Sequence, residues 1–142
     1  MEIKTILIVD DDQPTGRSLY RVVRALLEKL GPGDPLTDTA VHFLHGNGRT
    51  VLAFLDESPK IAAGRILLIT DGRMPGMDGA ALIEEMRTRM GDRLTAVLVS
   101  GTSSDYAAFA RDLDFALLDK PFNREDIETF VCAFLGTPAP SS

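Results

Sequence analysis

The chain has 142 residues, of which 44% are hydrophobic and 25% are charged, a size and composition typical of one globular domain and not of a disordered chain. Its net charge of −6 argues against a domain that binds nucleic acid phosphates or an anionic membrane surface. The single cysteine, Cys132, excludes an internal disulfide and a multi-cysteine metal site, and the sequence shows neither a membrane span nor a signal peptide. Composition therefore predicts one acidic cytoplasmic domain.

Apolar segments rich in β-branched residues predict five strands. They lie at residues 3–9, 40–45, 65–70, 95–99 and 115–118, and the second has the weakest pattern. Uninterrupted apolar runs such as ILIV and ILLI are typical of strands that are covered on both faces, as in a parallel sheet.

Helical patterns follow these strands. Apolar residues at spacings of three and four predict helices that contain Leu19 to Leu30, Leu82 to Met90 and Ile127 to Leu135, and shorter helices are expected at residues 50–57 and 103–111. Five strand–helix units in succession predict a doubly wound α/β fold with helices on both faces. We expect one domain over residues 1–136 and a Pro/Ser-rich tail or linker over residues 137–142.

The carboxyl ends of the predicted strands carry the candidate functional residues. The first strand ends in three consecutive aspartates, the third in Asp71, the fourth in Ser100 and Thr102, and the fifth in Asp119 and Lys120. Ligands of open parallel sheets bind at this edge. Clustered carboxylates repel one another, and a divalent cation with oxygen ligands relieves that repulsion. The pattern predicts a site for Mg²⁺ and a phosphoryl group, with Asp71 as the nucleophile.

Four strings within the sequence, ILIVDDD, LLITDGRMPGMDG, AVLVSGT and LLDKPF, resemble the receiver domain of bacterial two-component response regulators. They occur in the family's order and spacing, and the resemblance extends from about residue 3 to residue 135. It implies a flavodoxin-like (βα)5 sheet with five parallel strands in the order 2-1-3-4-5.

The resemblance also implies a role for each matching residue. Asp71 corresponds to the phosphoacceptor. Mg²⁺ would be held by Asp10, Asp11, Asp71 and the backbone carbonyl of Arg73. Ser100 and Lys120, with the adjacent Gly101, would hold the phosphoryl group and take part in the switch. Pro121 corresponds to a cis-proline, and Arg73 and Thr102 would tune the rate at which water removes the phosphoryl group.

The chain departs from the family pattern at the position of the switch aromatic, three residues before the lysine. That position is Leu117, and Phe115 is expected on the same face of the strand because the two are two residues apart. The alternatives for Phe115, that it replaces the usual aromatic or that it does not, stay open.

The implied function is a signalling switch rather than an enzyme with its own turnover substrate. A histidine kinase or histidine phosphotransfer protein would phosphorylate Asp71. The surface around the predicted helix at residues 103–111 and the fifth strand, with Tyr106, Phe109 and Phe115, would then change for a downstream protein target or a missing effector domain. No nucleic acid or membrane contact is expected of this domain, and the resemblance is compatible with a homodimer.

Two alternatives from other classes remain. A small haloacid-dehalogenase-type Mg²⁺ phosphohydrolase would use Asp10 as its nucleophile and Asp12 as its second acid, but leaves Asp71 without a role. A degenerate receiver would act only as a binding module. Asp12 itself is interpreted as a helix cap or solvated acid in preference to a third metal ligand.

Overall fold

Strands and helices alternate along the chain, as the hydrophobic pattern predicts. A computed structural model describes residues 3–30 and 39–137. The elements are β1 (Lys4–Asp10), α1 (Gln13–Leu30), β2 (Ala40–His45), α2 (Gly48–Asp56), α3 (Pro59–Ala62), β3 (Arg65–Asp71), α4 (Gly79–Met90), β4 (Leu94–Ser100), α5 (Ala107–Leu113), β5 (Ala116–Asp119) and α6 (Arg124–Leu135). Single 3₁₀ turns occupy Gly91–Arg93 and Ser103–Tyr106.

The five strands form one parallel sheet in the order β2-β1-β3-β4-β5, which confirms the predicted fold class. One face of the sheet packs against α1 and α6, through residues such as Val23 and Val131. The other face packs against α2 and α4, through residues such as Val51 and Ile83. Because both faces are covered, β1, β3 and β4 are almost continuously buried, as is usual for a parallel sheet.

Polar side chains cap the N-termini of several helices. Asp78 accepts a hydrogen bond from the backbone N–H of Ala81, and Asn123 forms a reciprocal capping box with Asp126. Asp12 accepts a hydrogen bond from the backbone N–H of Thr15 at 3.1 Å, at the start of α1. These contacts satisfy N–H groups that have no partner within their helix.

The region after β4 differs from the prediction. In place of one helix over residues 103–111, a 3₁₀ turn at Ser103–Tyr106 precedes the short helix α5. Phe109 is half exposed, whereas Tyr106 and Phe115 are buried. The three aromatic residues therefore do not share one surface, because the turn directs Tyr106 into the core.

Phe115 and Leu117 pack into the same core cluster, on the face of the sheet that carries α4. This arrangement confirms that the two residues share a face. Of the predicted tail, residues 138–142 lie outside the described part of the chain. Within the described ranges, no helix is long and apolar enough to cross a membrane.

Candidate phosphoryl and metal site

Three carboxylates meet at the carboxyl edge of the sheet. One oxygen each from Asp10, Asp11 and Asp71 lies within 4.8 Å of the others. Asp10 and Asp71 are the last residues of the neighbouring strands β1 and β3. The strand order therefore brings together residues that are about sixty positions apart in the sequence.

Burial of Asp10 and partial burial of Asp71 disfavour the ionised forms of these two carboxylates. Asp10 is only 2% exposed, and its pKa is raised to about 6, chiefly by that burial and further by the negative charge of Asp71. The pKa of Asp71 is also raised, mainly by burial, although Lys120 opposes the rise. Removal of water and like charges both disfavour the ionised carboxylate.

Lys120 places a positively charged side chain in the site. Its Nζ donates a hydrogen bond to Asp71 Oδ1 at 3.1 Å, and its backbone N–H donates to the carbonyl of Ser100 at 3.0 Å. The following peptide bond, Lys120–Pro121, is cis, which is the geometry that the resemblance predicts. The end of β5 is thus tied to both the aspartate of β3 and the hydroxyl residue of β4.

The last residue of β4, Ser100, forms a small hydroxyl cluster with Thr102. Ser100 is buried, and its Oγ accepts a hydrogen bond from the backbone N–H of Thr102 at 3.0 Å and lies 3.3 Å from Thr102 Oγ1. A Cβ added to Gly101 would have no atom within 4 Å. A side chain would therefore fit at Gly101, and the space around this position does not require glycine.

The side chain of Arg73 turns to the loop that follows β4. Its Nη2 lies 3.0 Å from Asp105 Oδ2, and both side chains are more than half exposed. The sequence motifs predict that the Arg73 carbonyl binds the metal and that its side chain tunes loss of the phosphoryl group, but they predict no role for Asp105. The hydrophobic period does not reveal the ion pair between Arg73 and Asp105, because that pair depends on the conformation of the segments after β3 and β4.

Two further contacts at this edge were not predicted from the sequence. Ser103 Oγ donates a hydrogen bond to Asp119 Oδ1, which links the 3₁₀ turn to the end of β5. His45, the last residue of β2, has its Nε2 3.1 Å from the carbonyl oxygen of Asp11. The strand-end rule that selected Asp71 also applies to His45, since β2 lies beside β1 in the sheet.

The donor set suits a hard divalent cation. Asp10, Asp11 and Asp71 supply several carboxylate oxygens from neighbouring strand ends, one of them on a buried residue whose ionised form is disfavoured. A cation with oxygen ligands offsets the mutual repulsion of these groups. Asp12 directs its carboxylate to Thr15, as a helix cap does, which leaves the phosphohydrolase alternative without its second acid.

Comparisons with known proteins agree with the fold. The chain is 30% identical over 133 residues to the DNA-binding transcriptional regulator NtrC of Salmonella typhimurium, a match that covers 92% of this chain and 24% of that protein. The chain therefore spans about a quarter of the length of the curated relatives it matches. No family model matches it.

Solved structures give matches over almost the whole chain. A response regulator receiver protein from Burkholderia phymatum is 27% identical with a TM-score of 0.70, covering 97% of this chain and 99% of that one. A CheY-like receiver domain protein from Methanospirillum hungatei is 25% identical with a TM-score of 0.70, covering 94% of each chain.

The sheet order, the carboxylate cluster and these matches together define a class of signalling domain. The chain is a response regulator receiver domain, as the four sequence motifs predict. Similarity to NtrC is consistent with a receiver in two-component signalling.

Proposed function

We propose that this receiver is a phosphorylation-dependent switch that accepts a phosphoryl group on Asp71 from a histidine kinase or histidine phosphotransfer protein. One observation carries the proposal. Asp71 lies with two other carboxylates inside 4.8 Å and has the ammonium group of Lys120 at 3.1 Å. A nucleophilic carboxylate beside a cation-binding cluster and a lysine is the arrangement that phosphoryl transfer requires.

The transfer step exchanges one bond to phosphorus for another. A carboxylate oxygen of Asp71 forms a bond to the phosphorus of the phosphohistidine, the phosphorus–nitrogen bond breaks, and its electron pair returns to the imidazole. The product on Asp71 is an acyl phosphate. Lys120 is already within hydrogen-bonding distance of Asp71, so its positive charge is available to the phosphoryl oxygens without a large movement.

Asp10, Asp11, Asp71 and the carbonyl of Arg73 would hold Mg²⁺ in this proposal. When bound, Mg²⁺ supplies positive charge that neutralises the carboxylates and the phosphoryl oxygens. The raised pKa of Asp10 supports a cation at this position, because no side chain within residues 3–30 and 39–137 gives this buried carboxylate an ion pair like the one between Lys120 and Asp71.

The switch follows from contacts that only the phosphorylated state makes. Ser100 is the last residue of β4, Lys120 directly follows β5, and a backbone hydrogen bond links the two residues. Their engagement by a phosphoryl group would shift the loop at Gly101 and Thr102. To move an equilibrium from 1:99 to 99:1, such contacts must differ by about 5.5 kcal/mol between the two states.

The proposal also assigns the domain an output and a cellular location. The domain itself binds neither nucleic acid nor membrane and has no independent turnover substrate. It acts in the cytoplasm, and its output is contact with another protein or control of an effector domain. Support for an effector comes from the NtrC relatives, which are described as DNA-binding transcriptional regulators and of which this chain matches 24%.

Intact mass spectrometry tests the acceptor. After incubation with Mg²⁺ and a small phosphodonor, the wild-type chain is expected to gain one phosphoryl group, and Asp71→Asn is expected to gain none while keeping its fold. Asn cannot form the acyl phosphate but has nearly the same shape. Labelling that persists in Asp71→Asn would refute the acceptor, and no labelling in either chain would favour a degenerate receiver.

Lys120→Ala tests the coupling between phosphorylation and shape. We expect this variant to keep stabilisation by Mg²⁺, because the carboxylates remain, and to lose the change in amide hydrogen exchange near Gly101 that phosphorylation causes in the wild type. Lys60→Ala is the matched control and should behave as the wild type. Lys60 is an exposed lysine on α3, a helix that precedes β3 and carries no residue of the site. An unchanged exchange response in Lys120→Ala would remove this lysine from the switch.

A further inference from the structure

The contact between β1 and β2 continues beyond the last paired residues of the two strands. Asp10 and His45 are the last residues in register, and the backbone N–H of Gly46 donates a hydrogen bond to the carbonyl of Asp10 at 3.1 Å. The next residue, Asn47, is already the N-cap of α2. The backbone that follows β2 therefore turns away from β1 before it reaches Asp11.

The imidazole of His45 makes the next contact with β1. Its Nε2 lies 3.1 Å from the carbonyl oxygen of Asp11, and because a carbonyl oxygen only accepts hydrogen bonds, Nε2 is the donor. Phe43, two residues earlier on β2, has its ring centroid 6.3 Å from that of His45. The Phe43 ring fills the space that a Cβ on Gly16 of α1 would occupy. The end of β2 that carries His45 thus packs against α1.

The peptide unit between Asp11 and Asp12 is held at both of its polar groups. Its carbonyl accepts the bond from His45, and its N–H, which belongs to Asp12, donates to Asp10 Oδ1 at 2.8 Å. The preceding peptide unit, between Asp10 and Asp11, is held by the bond from Gly46. Both peptide planes that flank the Cα of Asp11 are therefore fixed, and with them the two backbone angles that direct its side chain.

Backbone restraint is of most use to Asp11, because its side chain is the exposed member of the carboxylate cluster. Asp10 is buried and Asp71 is partly buried, so packing restricts the side chains of these two residues. An exposed carboxylate lacks such packing. Ligands that are already in place bind a cation more tightly, because less side-chain freedom is lost on binding.

We infer that His45 is a positioning residue for the cation: its hydrogen bond to the Asp11 carbonyl holds the Asp11 carboxylate in place beside Asp10 and Asp71. The inference rests on the proposed function, in which these carboxylates hold Mg²⁺. Loss of the bond frees the peptide unit after Asp11. Because the bond is exposed, its loss affects the affinity for Mg²⁺ much more than the stability of the fold.

Thermal unfolding across a Mg²⁺ titration tests the inference, because the dissociation constant follows from the dependence of stability on Mg²⁺ concentration. His45→Leu removes the donor, and we expect its dissociation constant for Mg²⁺ to rise about tenfold, as is typical when a residue that orients a metal ligand is lost. Its melting temperature in a chelator should stay close to that of the wild type. His45→Gln keeps an N–H donor and should recover most of the affinity.

His42→Leu is the matched control. His42 lies on the same strand, and its ring packs against Phe54 with the centroids 5.1 Å apart, away from the carboxylates. Its loss should leave the affinity for Mg²⁺ unchanged. A double-mutant cycle then tests the route through Asp11: in an Asp11→Ala chain no carboxylate remains to be positioned, so His45→Leu should cause no further loss of affinity.

The outcomes separate this inference from the proposed function. Unchanged Mg²⁺ affinity in His45→Leu, or the same loss with and without the Asp11 carboxylate, would overturn the role of His45 and leave the cation site standing. A wild-type chain whose melting temperature does not respond to Mg²⁺ would overturn both. Failure of Asp71 to gain a phosphoryl group would contradict the proposed function alone, because Mg²⁺ affinity is measured without a phosphodonor.

Discussion

Asp10→Asn is expected to make the metal-free fold more stable at pH 7, by up to about 3 kcal/mol. Asp10 is almost fully buried, and its pKa is raised to about 6 from 3.8. Between these two values the unfolded chain has released a proton that the folded chain retains, so the stability of the wild type falls as the pH rises from about 4 to about 6. Asparagine removes the charge and keeps an oxygen to accept the hydrogen bond from the backbone N–H of Asp12, at 2.8 Å in the wild type.

Urea unfolding at pH 4 and pH 7 in the presence of a chelator measures this effect. The two chains should have similar stability at pH 4, where Asp10 is protonated in the folded wild type, and should diverge at pH 7. Added Mg²⁺ should narrow the difference, since it stabilises the wild type by about 1.4 kcal/mol at ten times its dissociation constant and has one carboxylate fewer to bind in the variant.

Asp112→Asn is the matched control, because Asp112 is exposed on α5. It should show neither the gain at pH 7 nor a changed response to Mg²⁺. If Asp10→Asn destabilises the chelated chain at pH 7 and responds to Mg²⁺ as the wild type does, the carboxylate cluster is not the cation site.

Arg87→Met is expected to cost about 3 kcal/mol of unfolding free energy. The Arg87 guanidinium donates to four backbone carbonyls: Leu113 at 3.1 Å, Gly91 at 2.9 Å, Leu94 at 2.6 Å and Asp114 at 2.6 Å. One side chain therefore joins the end of α4, the start of β4 and the end of α5. Methionine fills a similar volume along the helix but leaves those carbonyls without their charged donor.

Arg89→Met is the control for this prediction. Arg89 is on the same helix and forms ion pairs with Asp56 and Glu85, both at 3.2 Å and both exposed, so its loss should cost less than about 1 kcal/mol. Amide exchange should show the opening in Arg87→Met at residues 107–118. Equal stability of the two variants in urea would show that the four hydrogen bonds add nothing beyond a surface ion pair.

The strands could be predicted from sequence because burial on both faces leaves a continuous apolar run. The predicted segment at residues 65–70 differs from β3 only by Asp71. The weakest pattern belongs to β2, an edge strand in which a single residue, Val41, is buried. Helix α3 has four residues, too few for a helical period to be visible, and α5 buries none of its residues, so its pattern could not distinguish it from the preceding turn.

The candidate site could be predicted from one topological rule together with the motif resemblance. The carboxyl ends of parallel strands meet at one edge, and that rule is sufficient to bring Asp10, Asp71 and Lys120 together. It says nothing about side chains that belong to loops. The pairing of Arg73 with Asp105, and the burial of Tyr106, depend on backbone angles after β3 and β4 that no hydrophobic period encodes.

The two outer strands of the sheet are short and differ in length. β5 has four residues, Ala116–Asp119, and β2 has six. Pro121 lies two residues beyond the end of β5 and has no N–H to donate to another strand. Short edges of this kind offer few free backbone groups to a neighbouring molecule, so the domain should resist aggregation by edge-to-edge strand addition even at high concentration.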